Sequence, residues 1–264
     1  MTSGAVPTQW YEHRKDWTEI DGEVIEEALI TIYVNGIELA TIMATPKEQD
    51  LLTLGFLKNE GLIESLSEIK VLHTSKAGCC VDVWLNHPFI KPDRMIITSG
   101  CGGGVTFDDP STGIEPLQSD LQIDPEILHP AFRKLQPPNS LYARSRGVHA
   151  AGLLNPQTGD LMVIVEDVGR HNTIDKLTGY CLKNKIGTRG KILLVTGRIS
   201  SEMLRKAAVM GCPITASRTS PTSLSIEMAR AWNITLIGYV YSGGLRVYSH
   251  PERVGMNIPL RTVD

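Results

Sequence analysis

The 264-residue chain has no apolar run near the roughly 20 residues that a membrane span requires. Its first residues, Met1-Thr2-Ser3-Gly4-Ala5-Val6-Pro7, lack the charged-then-apolar pattern of a secretory signal. A cytoplasmic protein with no membrane partner is expected. Charge of one sign is also lacking: 26 Lys and Arg against 29 Asp and Glu leave a formal net charge of -3, which gives no basic field to attract nucleic acid. Cysteine is scarce and odd in number, five in all, with no repeated paired spacing, so free thiols rather than a disulfide framework are expected. What remains, 42% hydrophobic and 21% charged, suits a globular protein of one large or two modest domains.

One of the few cysteines stands in an unusual setting. Cys101 lies in Thr98-Ser99-Gly100-Cys101-Gly102-Gly103-Gly104, with glycines on both sides and no bulky neighbour. Glycine admits positive φ and lets a ligand or another backbone come close, so this thiol can be approached. A free cysteine of pKa about 8.5 is only slightly ionised at neutral pH, and nearby positive charge would be needed to raise its thiolate fraction. The alternative is a flexible connector in which the cysteine is incidental. Cys79 and Cys80 are rival thiols; beside Gly78 and heading an apolar strand, they read as one inward and one outward residue. Cys181 and Cys212 adjoin core residues and read as buried packing.

The chain divides into two regions of different pattern. The first, residues 20–107, reads as a small α+β domain ending in the Cys101 loop. Two β-rich runs, Ala28 to Val34 and Ile37 to Met43, flank Asn35-Gly36 and predict a tight hairpin. Thr45-Pro46-Lys47-Glu48 predicts an N-cap, a first-turn proline and a capping-box acid for a helix that stops near Gly61. Short strands at Ile69 to Leu72 and Val81 to Leu85 flank a turn at Ala77-Gly78, and Met95 to Thr98 leads into the cysteine loop. Residues 108–124 read as a linker.

The second region, residues 125–264, repeats a strand, a polar loop and a helix. Leu161 to Val165 runs into Glu166-Asp167-Val168-Gly169-Arg170-His171-Asn172, Lys191 to Val195 into Thr196-Gly197-Arg198, and Pro213 to Ala216 into Ser217-Arg218-Thr219-Ser220-Pro221-Thr222. Nearly continuous hydrophobicity marks these as buried parallel strands, and right-handed crossovers would gather all three loops on one sheet edge. A fourth strand, Thr235 to Val240, leads to Tyr241-Ser242-Gly243-Gly244 and a last short strand at Arg246 to Tyr248. Helix starts with Arg170, Arg198 and Arg218 beside them suit phosphate groups. His171 and Asp175 lie one helical turn apart, so the carboxylate could orient the imidazole, while Asn172 could bond a base or ribose. Against this, Glu166, Asp167, Asp175 and Lys176 could simply cap and charge-balance an exposed helix.

These residues also carry a resemblance that runs over almost the whole chain. Glu166 to Asn172 with Asp175-Lys176, preceded by Thr45-Pro46, Leu54-Gly55-Phe56-Leu57, Glu60-Gly61 and Gly147-Val148-His149-Ala150-Ala151, resembles the formate dehydrogenase accessory sulfurtransferases of the FdhD family. Gly197-Arg198 with Ser200, Glu202-Met203 and Lys206-Ala207, then Ser217, Ser220-Pro221-Thr222 and Thr235 to Gly238, continue it in order. The resemblance implies an α/β chain whose second domain is a cytidine-deaminase-like three-layer α/β unit. It implies a cytosolic homodimer, an enzyme that takes persulfide sulfur from a cysteine desulfurase on Cys101 and passes it to the molybdenum cofactor of formate dehydrogenase. The bound cargo would be the bis(molybdopterin guanine dinucleotide) form, with GDP as a surrogate ligand. Candidate cofactor contacts are then Gly169, Arg170, His171, Asn172, Asp175, Arg198, Ser217, Ser220, Thr222 and the segment Tyr239, Val240, Tyr241, Ser242, Gly243 and Gly244. Tyr239 and Val240 also fit a plain strand, which puts more weight on Ser242 to Gly244.

The chain departs from one common family pattern. Many members carry Cys-x-x-Cys, and here the second position is Gly104, so no neighbouring thiol in the loop can resolve a persulfide on Cys101. Two other functions fit parts of the sequence. A zinc deaminase would share the fold, but Ala151 stands where the proton-shuttling glutamate would be and no Pro-Cys-x-x-Cys is present, so no metal is expected. A chaperone that binds the cofactor without transferring sulfur would be consistent with Gly104. His149 either acts on the cofactor or satisfies a buried hydrogen bond.

Overall fold

The protein is described from a computed structural model. The structure describes residues 3–94, 96–97, 105–107, 109, 111 and 113–255. Cys101 and Gly104 lie outside the described residues.

The chain opens with a two-stranded antiparallel ribbon, β1 (Ala5–His13) and β2 (Trp17–Ile25), an element beyond those expected from the sequence. It lacks the alternation of a half-buried strand: Tyr11 and Trp17 are exposed, and Trp10 lies across Gly22, where an added Cβ would sit 2.2 Å from the ring. Next come β3 (Ala28–Val34) and β4 (Ile37–Ala44), the expected hairpin, with Asn35 and Gly36 both at positive φ. After α1 (Gln49–Asn59), β5 (Ile69–Thr74) and β6 (Cys80–Leu85) complete a four-stranded sheet of order β4-β3-β6-β5. Ile30, Ile32 and Val34 alternate inward on β3, as do Val81, Val83 and Leu85 on β6, against Leu52, Phe56 and Leu57 of α1.

The start of α1 differs from expectation. The N-cap is Glu48, in the left-handed region at φ 58°, and it makes no side-chain cap. Thr45 forms no capping box because its hydroxyl accepts from Val168 N at 3.0 Å, a bond to the second region. Two short paired strands, β7 (Ile96–Ile97) and β8 (Val105–Thr106), stand on either side of the Cys101 stretch, and Phe107 then packs edge-on against Phe56.

Residues 113–124 form no helix or strand. They lie along the second region, with Leu117 N bonded to Trp232 O and Ile123 N to Arg253 O. Two short helices follow, α2 (Leu128–Lys134) and α3 (Leu141–Ser145), then β9 (His149–Leu154), β10 (Leu161–Asp167) and α4 (Arg170–Lys183). β11 (Ile192–Val195), α5 (Ser201–Val209), β12 (Ile214–Ser217), α6 (Ser223–Ala231), β13 (Thr235–Tyr241) and β14 (Gly244–Val247) follow, with a 3-10 turn at Pro251–Val254 after them. The six-stranded sheet has order β10-β9-β11-β12-β13-β14. β11, β12 and β13 are parallel as expected, but β9 lies antiparallel between β10 and β11, so the sheet is mixed. A short turn through Asn155 and Asp160 joins β9 to β10, which permits only an antiparallel pair. Leu193 and Val195 face α4, α5 and α6, whereas Ile192 and Leu194 face Phe132 and Leu128 of α2. Helices therefore cover both faces.

The two regions meet where α1 crosses α4. A Cβ at Gly55 would lie 1.7 Å from the Asp175 carbonyl oxygen, and one at Gly179 1.9 Å from that of Leu51, so the helices touch backbone to backbone. This explains why α1 is buried almost all round: one side meets its own sheet and the other meets α4. Gly55→Ala is expected to destabilise the protein by about 2 kcal/mol or more through overpacking. Gly187→Ala, in open space, should stay within about 0.5 kcal/mol of wild type. Urea titration of both variants checks this, and equal midpoints would contradict the crossing.

Candidate functional site

The carboxyl ends of β10, β11 and β12 lie on one edge, together with the start of the antiparallel β9, since Asp167 pairs with His149. Two kinds of polar group stand here, those that join the regions and those that line the edge.

Asp167 joins the regions. Its side chain is fully buried, and its two oxygens accept four bonds: Thr45 N at 3.2 Å and Lys176 Nζ at 2.7 Å on one, Gly169 N and Asn172 Nδ2 at 2.8 Å each on the other. That fills the acceptor capacity of a carboxylate. Asn172 Nδ2 also donates to Met43 O at 2.8 Å, and Lys176 Nζ to Thr45 O at 3.3 Å. Gly169, Asn172 and Lys176 therefore lock the end of β4 onto the start of α4. Asn172 was expected to bond a base or ribose; both of its amide hydrogens are already engaged. Lys176 and Asp175 are buried too, so the exposed, charge-balanced helix face does not exist.

Asp175 belongs to a second buried network. It binds Lys206 Nζ and accepts from Asn59 Nδ2 at 2.7 Å, while Lys206 lies 5.9 Å from the centre of the Phe56 ring. Glu60, raised above the ordinary carboxylate range by burial against the opposing pull of Lys206, accepts from Thr106 Oγ1 at 2.8 Å and Phe107 N at 3.1 Å. Asp175 thus does not orient His171, as the spacing suggested. The Nε2 atom of His171 meets Ser200 Oγ at 3.1 Å and Glu202 Oε2 at 3.0 Å. Both partners share one ring nitrogen, which differs from a nucleophile–base–acid relay across the two nitrogens. Ser200 and Glu202 match the family pattern, but nothing in their spacing points to a histidine 29 and 31 positions away.

The remaining expected residues separate further. Gly197 sits in a cradle in which an added Cβ would be 3.1 Å from Arg170 Cβ and 3.2 Å from His149 Nδ1, so His149, Arg170 and His171 gather at the β9–β10–β11 end. Arg198 is exposed at the same loop. Ser217 Oγ donates to Gly197 O at 2.7 Å and accepts from Thr219 N, Ser220 O accepts from Ile199 N, and Thr222 caps α6 through Ser225 N. These three residues stitch neighbouring loops together. Arg218 turns away to Phe132, donating to its carbonyl at 3.1 Å.

Further along the edge, Gly238 lies so close to the β12–α6 loop that a Cβ would be 2.8 Å from Thr219 O. Tyr239 takes φ 53°, a conformation that tyrosine rarely adopts, with Arg246 stacked 4.1 Å above its ring. Val240 is buried in the core on the α2 side. Beyond it Tyr241, Ser242 and Gly244 line a pocket of about 430 Å³ with Glu126, His129 and Pro130, while Gly243 is exposed beside Tyr241. The sheet order places β12 between this pocket and the His149 cluster. His129 and Glu126 were not anticipated, because the sequence gives no sign that α2 approaches the β13–β14 turn.

Among the described residues no helix is long and apolar enough to cross a membrane, and no three His, Cys, Asp or Glu side chains converge as a metal ion would need.

A mixed α/β chain of two interlocked units, with a polar strand-end edge on the second and a short strand pair, β7 and β8, on the first, defines a class that comparison with known proteins makes specific. The FdhD/NarQ family model matches residues 25–255. The chain belongs to that family. It is 36% identical over 257 residues to the sulfur carrier protein FdhD of Bacillus subtilis, covering 95% of this chain and 97% of that one. With the protein of the same name from Staphylococcus aureus the identity is 34% over 254 residues, covering 94% and 95%. A crystal structure described as a formate dehydrogenase accessory protein, from Desulfotalea psychrophila, superposes with a TM-score of 0.80 at 27% identity, covering 95% of this chain and 99% of that one.

His149 lends this edge a pH dependence. Burial, then the nearby charges of Arg170 and His171, hold its imidazole below the ordinary value of 6.5. The unfolded chain therefore takes up a proton that the folded one refuses, and stability falls as pH drops below about 6.5, until the lower folded value is passed. Wild type should lose more urea resistance between about pH 8 and pH 5.5 than His149→Gln; equal losses would contradict this.

Proposed function

We propose that this chain is a sulfurtransferase that receives persulfide sulfur from a cysteine desulfurase on Cys101. It yields that sulfur to the molybdenum of a bis(molybdopterin guanine dinucleotide) cofactor before insertion into formate dehydrogenase. The observation that carries this reading is the match to named sulfur carriers along nearly the full chain, together with a glycine-flanked cysteine between β7 and β8. The molybdenum cofactor is cargo, and the residues that would meet it lie on the strand-end edge. The exposed guanidinium of Arg198 suits its phosphates. The pocket beside Tyr241 and Ser242, within the size range of small-ligand sites, suits a guanine nucleoside rather than the whole cofactor, with GDP as its soluble surrogate. Helices on both faces of one mixed sheet support a cytidine-deaminase-like second domain spanning residues 125–264, following a first domain over residues 20–107. A cytoplasmic homodimer completes the reading.

The first step is attack by the Cys101 thiolate on the outer sulfur of the desulfurase persulfide, which leaves Cys101–S–SH and a desulfurase thiolate. Because position 104 is glycine, no thiol in the loop competes to discharge it. Incubation with a cysteine desulfurase and cysteine should add about 32 Da, one sulfur atom, to the Cys101 peptide. Cys101→Ser should abolish the gain and fail to support formate dehydrogenase maturation. Full maturation by Cys101→Ala would instead favour a chaperone that transfers no sulfur.

A further inference from the structure

The turn between β5 and β6 carries Cys79 and Cys80, which the sequence divides into one inward and one outward residue. The structure differs: Cys79 is exposed, Cys80 is half-buried, and Val81 is the first side chain of the strand to enter the core. The two sulfurs lie 3.7 Å apart, and the Ser75 hydroxyl lies 3.9 Å from Cys79 Sγ. Ser75 also fixes the turn, accepting from Cys80 N at 3.2 Å through its hydroxyl and donating its own N–H to Cys80 O at 2.9 Å. Ser75 and Gln49, which donates to Gly78 O at 3.3 Å, line a cleft of about 940 Å³ that also presents Lys47, Lys76 and Lys183. Glu48 and Asp50 share that lining, Asp50 paired with Lys183 Nζ at 2.6 Å, so the dithiol borders an open recess of mixed charge, wide enough to admit a thiol-bearing donor.

We propose that Cys79 and Cys80 form a second sulfur-handling site, a dithiol that takes the outer sulfur of a persulfide and discharges it as sulfide. It rests on the sulfur-carrier reading above. The exposed Cys79 thiolate attacks the outer sulfur of a donor R–S–SH, the donor S–S bond breaks, R–S⁻ leaves, and Cys79–S–SH forms. The Cys80 sulfur then attacks Cys79 Sγ, the bond to the outer sulfur breaks, and a Cys79–Cys80 disulfide forms. Hydrosulfide leaves, taking up the proton that Cys80 gives up. The two cysteine sulfurs are oxidised and the transferred sulfur is reduced; a dithiol reductant resets the pair.

The division of roles follows the local chemistry. The hydrogen bond with Cys79, and after it burial, raises the Cys80 thiol above its ordinary value. Cys80 therefore keeps its proton while Cys79 meets the donor. Adjacent Cα atoms are about 3.8 Å apart, closer than in ordinary disulfides, so the product bond is strained and readily reduced, as turnover requires. Two sulfurs alone do not complete a tetrahedral thiolate site, and no third ligand joins them among the described residues, which favours redox chemistry over metal binding.

The test uses the full reduced chain and glutathione persulfide, followed by trypsin. Cleavage after Lys76 and Arg94 places the pair and Cys101 on separate peptides. In wild type, peptide 77–94 should become about 2 Da lighter, reversibly with dithiothreitol, with release of about one sulfide per chain. Cys80→Ser should instead hold about 32 Da on Cys79 and release no sulfide from this site. Cys79 and Cys80 remaining fully alkylatable, a disulfide formed without sulfide, or a stable persulfide on the wild-type pair would each overturn the proposal. The Cys101 peptide reports on the parent reading separately: its failure to gain sulfur under the same conditions counts against that reading and not against the pair.

Discussion

The buried carboxylate of Asp167 accepts four hydrogen bonds, from a main-chain amide of the first region, from two groups at the start of α4, and from a buried lysine. Each of these donors would be costly to leave unpaired away from water, and so would the carboxylate itself. The bonds can be satisfied together only when the end of β4 lies against the β10–α4 turn. That constraint sets the approach of α1 to α4, where glycines at 55 and 179 allow backbone contact. The Asp175–Lys206–Asn59 network then closes the far side of the same crossing. An anion-binding appearance at the sequence level is, in the fold, largely the joint between two units.

Much of the architecture was legible in the sequence because it depends on local rules. Asn35-Gly36 between two β-rich runs has few alternatives to a hairpin, and strands that end in polar loops before amphipathic helices lead to parallel pairing with their ends on one edge. His149 to Leu154 has no alternation to mark the antiparallel β9 as a strand; its one local sign is the turn composition that follows it, Asn155-Pro156 and Gly159-Asp160. The β1–β2 ribbon was hidden for a related reason: its aromatics face solvent and each other instead of a core.

The candidate site was legible by location more than by role. Asn172, Asp175, Ser217 and Thr222 all lie near the strand-end edge, yet their polar atoms engage protein partners. Hydrogen-bonding side chains after a glycine look the same in sequence whether they meet a ligand or a distant main chain, and Met43 and Thr45 lie more than 120 positions away. The groups left to face outward, Arg198 and the Tyr241 to Gly244 turn, are fewer and more widely spaced. Sulfur chemistry is likewise dispersed, with Cys101 alone in its loop and a vicinal thiol pair at the β5–β6 turn.

If Asp167 and the α1–α4 crossing unite the two regions, they cannot unfold separately. Native-state hydrogen exchange at low denaturant reads this directly, comparing amides of β3, β6 and α1 with those of α4, β11 and β12. The interlocked fold predicts one shared opening free energy and one shared denaturant dependence for the slowest amides of both sets. Exchange of the β3, β6 and α1 amides through a lower-energy opening, with α4 still protected, would contradict it.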